Sequence, residues 1–103
     1  MTILGRCLAL LPLVLIPVYG LADSGAEFKM RCAPCHGAKG AGETKLGQHF
    51  HVRDLGSADV QKQSDGELAK IIAKGKGKMP PQESKLSKDQ INDLVKWIRT
   101  LKK

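Results

Sequence analysis

The stretch Arg31-Cys32-Ala33-Pro34-Cys35-His36-Gly37 constrains this chain more than any other. It sets two thiols three positions apart, with an imidazole immediately after the second. A thioredoxin-like redox pair could use such thiols, but it needs a βαβ unit around them. Half a zinc site could use them too, given two further Cys or His ligands at suitable spacing. His49 and His51, two residues apart, are the available donors. The third chemistry is covalent attachment of a c-type haem, for which Cys-x-x-Cys-His is the sequence signature. Two thiols so spaced can add to the vinyl groups along one edge of a porphyrin, and the following His is then carried beneath the ring.

The N-terminus bears on the choice. Arg6 is followed by the uncharged run Cys7 to Ala22, which ends in Gly20-Leu21-Ala22 with small residues where a secretory leader is cut. Residues 1–22 therefore read as a signal peptide and 23–103 as the mature domain. The competing reading is a retained anchor. The run is 16 residues, interrupted by Pro12 and Pro17, and a bilayer span needs about 20. The expectation is export to an oxidising compartment, with no stable membrane insertion after cleavage. Haem attachment to such thiols belongs to that compartment.

Export also leaves two cysteines, Cys32 and Cys35, and a disulfide between them would close too short a loop to restrict the unfolded chain. A mature domain of about 80 residues rarely builds a sufficient core unaided. Its aromatic residues are only Phe28, Phe50 and Trp97. A macrocycle would fill what is missing.

Three helices are predicted. The first runs from about Gly25 into Cys32, with Phe28 and Cys32 on one face. The second starts at Ser64 as N-cap, with Glu67 completing a capping box, carries Leu68, Ile71 and Ile72, and stops at Gly75. The third starts at Ser87 with Gln90 as its box partner and runs Ile91, Leu94, Val95, Ile98, Leu101, with Trp97 beside the stripe. No period-2 strand is evident. Residues 37–63 read as a long Gly-rich loop, and a loop of that length in a small domain is usually functional or wrapped around something.

Met79 lies in Lys74-Gly-Lys-Gly-Lys-Met-Pro-Pro-Gln82, a segment with no other aliphatic side chain to bury it. Gap-filling in a core is one use for such a residue. The other is as an axial haem ligand opposite His36, since a thioether is neutral and soft, and Met/His ligation raises the reduction potential. The 43 positions between them give enough chain to pass around a ring. Pro80 and Pro81 would stiffen the loop, and Gly75 and Gly77 would let backbone approach the macrocycle closely.

The mature chain resembles, end to end, a small soluble class I cytochrome c of the bacterial single-haem type. The matching segments are "FKMRCAPCHGAKGAG", "GKGKMPP" and "LSKDQINDLVKWIRTLKK". The resemblance implies an all-α fold of three to five short helices wrapped around one covalently attached haem c. Cys32 and Cys35 would form its thioethers, and His36 and Met79 its axial iron ligands. It further implies that the terminal helices cross, bringing Phe28 to the Leu94, Trp97, Ile98 face, and that Leu68, Ile71 and Ile72 wall the haem. The Gly-Pro that steadies the axial His in mitochondrial-type members is absent here, where "TKLGQHF" stands instead. His49, His51 and Arg53 are candidate neighbours of the haem propionates or, equally, solvated loop residues.

With both axial positions filled, substrate chemistry at the metal is disfavoured. The expected function is one-electron transfer by a monomeric periplasmic shuttle, with no enzymatic activity. A subunit docked on a dehydrogenase or oxidase is the alternative, as is a ligand-binding or peroxidatic haem protein if the Met is labile. The mature charge is +6, since the leader removes only Arg6 from a formal +7. Lys39, Lys45, Lys74, Lys76, Lys78 and Lys85 are expected to flank the haem edge and steer the protein to redox partners with acidic docking surfaces. The same lysines can equally serve solubility. Charge alone would permit nucleic-acid binding, but an exported chain without a recognition motif argues against it.

Overall fold

The computed structural model describes residues 12–13 and 21–103. The expected leader, residues 1–22, lies almost wholly outside them. Helix α1 (Leu21–Arg31) leads directly into α2 (Ala33–His36), followed by α3 (Lys45–His49), α4 (Ala58–Gln61), α5 (Asp65–Lys74) and α6 (Lys88–Arg99). The fold is all-α, as expected. The described residues hold six helices rather than three to five, because three of them are single turns of four or five residues. Such turns are too short to show a hydrophobic period.

The ends of the longer helices follow their side chains. Ser87 accepts from the Gln90 N–H while Gln90 accepts from the Ser87 N–H, so both halves of the α6 capping box form. At α5 only one half forms: Ser64 accepts from the Glu67 N–H. Helix α1 begins at Leu21, four residues ahead of the expected Gly25.

Helix α1 packs on α6, and α5 packs on α6 beside it. At the crossing the Phe28 and Trp97 rings lie 4.2 Å apart between centroids, tilted by 34°. Phe28 and Leu94 are each 1% exposed and centre a core that includes Leu68, Ile72, Leu86, Ile91, Val95 and Ile98. The implied meeting of Phe28 with the Leu94, Trp97, Ile98 face is present.

The long connection after α2 is ordered by capping and by the end of α6. Thr44 and Ser57 cap α3 and α4 through their hydroxyls. Arg99 donates to the carbonyls of Gln61 and Gln63 and pairs with Asp65. The Gln61 amide donates to the carbonyls of Leu55 and Ile98. Lys103 closes on Asp54, and its N–H bonds the Gly56 carbonyl. The loop thus wraps rather than hangs, and its inner edge forms one side of the cavity described next.

Candidate functional site

A cavity of about 330 Å³ opens between the helices. Helices α1 and α2 bring Phe28, Cys32, Cys35 and His36 to it; α5 and α6 add Leu68, Ile71, Ile72, Leu94 and Ile98. The connection after α3 supplies Phe50, His51, Val52, Arg53 and Leu55, and the loop after α5 supplies Lys76, Lys78, Met79 and Pro80. All four side chains singled out from the sequence, Cys32, Cys35, His36 and Met79, therefore line one cavity. So do Leu68, Ile71 and Ile72.

Burial sets the chemistry of the attachment segment. Cys32 and Cys35 are free thiols. Burial pushes the Cys32 thiol up to about 11, against a smaller opposing pull from Arg31. Redox-active thiols are held low instead, and the described residues contain no strand to frame a thioredoxin-like pair. The described residues also contain no group of three side chains able to hold a metal ion by themselves. Burial pushes the His36 imidazole below its ordinary range, which favours the neutral form a metal ligand requires. Its Nδ1 is buried and has no hydrogen-bond partner among the described residues.

The segment is held by groups that sequence reasoning did not single out. The Thr44 hydroxyl donates to the Cys35 carbonyl at 3.0 Å and accepts from the Gly47 N–H at 2.9 Å. The Gly42 N–H donates to the His36 carbonyl at 2.7 Å. Gly47 has to be glycine on spatial grounds, because a Cβ there would meet the Cys35 carbonyl oxygen. "TKLGQHF", noted above only for what it lacks, thus contains the cap and the close approach that fix the thiol-bearing turn. The Thr-x-x-Gly spacing was the available signal, and it is too common a spacing to stand out.

Met79 sits in a closed turn. Lys76 and Met79 exchange both backbone hydrogen bonds, at 2.9 and 3.1 Å. Gly75 ends α5 at φ 75°, where a Cβ would lie 2.5 Å from the Met79 carbonyl oxygen. Gly75 thus ends α5 as expected, and the turn itself also requires it. Around Gly77 no protein atom comes within 4 Å of a Cβ position.

The three remaining candidates separate. His51 and Arg53 line the cavity, and His51 is held at φ 54°. His49 does not line it; its ring meets Phe50 edge-on at 4.9 Å. Of the six lysines expected at the rim, Lys76 and Lys78 line the cavity, and Lys74 is paired with Glu83. Lys39, Lys45 and Lys85 are exposed elsewhere.

A family model described as cytochrome c oxidase, cbb3-type, subunit III matches residues 21–98. The chain belongs to this cytochrome c family. Membership implies a covalently bound haem c and haem-based electron transfer. Among solved structures, the KustC0563 c-type cytochrome matches with a TM-score of 0.72 at 30% identity, over 78% of this chain and 98% of that one. A point mutant of that cytochrome matches with a TM-score of 0.70 at 32% identity, over 78% of this chain and 99% of that one. No curated protein sequence matches.

The residues of this cytochrome fit the group. The apolar walls suit a macrocycle, and two thiols, an imidazole and a thioether face one space. His51, Arg53, Lys76 and Lys78 line the cavity, and no carboxylate among the described residues does, which suits a ligand bearing acid groups; Arg31 also lines it but is paired with Glu27. No helix among the described residues is long and apolar enough to cross a membrane.

Proposed function

We propose that this cytochrome is an exported, periplasmic one-electron carrier whose single haem is held by Cys32 and Cys35 and ligated by His36 and Met79. The observation that carries the reading is the convergence of His36 and Met79, 43 positions apart, on one cavity with both thiols. When bound, the haem supplies the change of oxidation state. The protein supplies the rest. His36 offers a neutral imidazole on a turn fixed through Thr44 and Gly42, and Met79 offers sulfur from a turn closed on itself. Leu68, Ile71, Ile72, Leu94 and Ile98 supply apolar walls to the space between them. With His36 and Met79 both holding the iron, no site would remain for substrate, and electron transfer across the protein surface would be the available chemistry. The residues before Asp23 serve as the leader and are removed.

The partners are redox proteins with acidic docking surfaces. A mature charge of +6 and the placement of Lys76 and Lys78 at the cavity support this. Covalent haem is tested by intact mass and pyridine haemochrome spectroscopy of the exported protein. One haem per chain is expected, lost in Cys32→Ala/Cys35→Ala, and a mature protein without it would refute the reading.

A second reading, a subunit docked on an oxidase, is favoured by one observation: the matching family model is described as an oxidase subunit. Fractionation of intact cells followed by sizing separates the two. A free shuttle elutes as a small monomer in the soluble fraction, and a docked subunit follows the membranes.

A further inference from the structure

Within the loop carrying Met79, the Lys76–Met79 backbone pair closes the turn. Lys76, Gly77, Lys78, Pro80 and Pro81 are exposed, and only Met79 packs against the core. Beyond that turn, the loop's attachment to α5 depends on its two ends. The Gln82 and Glu83 N–H groups donate to the carbonyls of Ile72 and Ala73, satisfying the last turn of α5. Across the same ends, Lys74 Nζ meets Glu83 Oε2 at 2.8 Å.

The charge pattern gives that pair a specific role. Between Leu68 and Lys88, Glu83 is the sole acidic residue, while Lys70, Lys74, Lys76, Lys78 and Lys85 are all basic. Glu83 is thus the one anion of the segment with which Lys74 can pair. Of the three staples, the ion pair alone weakens with ionic strength. Both partners are more than half or about half exposed, at 62% and 50%, so the pair belongs to the weak class. It is enough to shift a local equilibrium by about two- to fivefold, and too weak to decide global folding.

We propose that Lys74 and Glu83 form an ionic clasp that sets how readily Met79 gives up the iron to an external ligand. The proposal rests on the reading of Met79 as the sixth ligand. Both residues act as positioning residues, through the loop ends and without touching the haem iron. Opening exchanges one neutral donor, the thioether, for another, and no electron or proton is transferred.

The test uses the oxidised holoprotein and imidazole as the external ligand. Displacement of the sulfur is followed by loss of the sulfur-to-iron absorption band at the red end of the spectrum. At low salt, Lys74→Gln and Glu83→Gln should each tighten imidazole binding about two- to fivefold. The double variant should be no tighter than either single one, because both remove the same interaction. In about 1 M salt all four proteins should bind alike. Unchanged affinity in the single variants at low salt would overturn the clasp, as would effects that add independently or persist in high salt. Those results leave Met79 as ligand intact. Absence of the band from the wild-type protein would instead overturn the ligand assignment, and the clasp with it.

Discussion

Thr44 and Cys35 are joined by a hydrogen bond that spans nine positions, from the Thr44 hydroxyl to the Cys35 carbonyl at 3.0 Å. The same hydroxyl caps α3. One side chain therefore fixes both the start of a helix and the turn bearing the second thiol and His36. Thr44→Val keeps the shape and removes both bonds. We expect it to cost about 1–2 kcal/mol in denaturant unfolding, with most of the loss restored by Thr44→Ser.

Gly75 and Gly77 both have positive φ, at 75° and 57°, but they differ in surroundings. Gly77→Ala should cost about 1 kcal/mol, the strain of a left-handed alanine with open space around it. Gly75→Ala adds a collision with the Met79 carbonyl and the Pro81 nitrogen. It should destabilise more than Gly77→Ala and weaken the red-end sulfur-to-iron band. Equilibrium unfolding and the oxidised absorption spectrum, measured on both variants, check the order.

Asp54 is held below the usual carboxylate range, first by its hydrogen bond from Lys103, then by the Gly56 N–H. Its folded-state pKa is depressed, so the stability it contributes is fully present above the ordinary aspartate value. That stability is lost as pH falls through the lowered value. Asp54→Asn should therefore flatten the acid limb of the stability curve below about pH 4. Denaturant midpoints measured across that range for both proteins test it.

Lys76 and Lys78 line the cavity, whereas Lys39 does not. If acidic partners dock over the haem edge, Lys76→Gln/Lys78→Gln should slow electron transfer to such a partner severalfold at low salt, and Lys39→Gln should have little effect. Stopped-flow rates against ionic strength give the comparison, and the double variant should show the shallower salt dependence.

Much of this was legible because it is local. The attachment motif is five consecutive residues, and the caps Ser64 and Ser87 sit beside the helices they start. The apolar stripe of α6 shows its period over three turns. The rest depends on distant parts of the chain. Arg99 organises Gln61, Gln63 and Asp65 from 34 to 38 positions away. Helices α3 and α4 are too short for periodicity; α3 is placed through Thr44 and the Cys35 carbonyl, and α4 through the Arg99 anchoring. Whether His49 or His51 faces the cavity turns on the left-handed backbone at His51, which a non-glycine residue rarely adopts. Gly75 illustrates a different limit: its glycine was evident, but the atom it avoids belongs to the Met79 turn.

Iron ligation by Met79 is tested most directly by the absorption spectrum of the oxidised holoprotein beside that of Met79→Ala. The wild type should show the red-end sulfur-to-iron band, and the variant should lack it while keeping its covalent haem. A wild type without the band, or a variant that retains it, would contradict ligation by Met79.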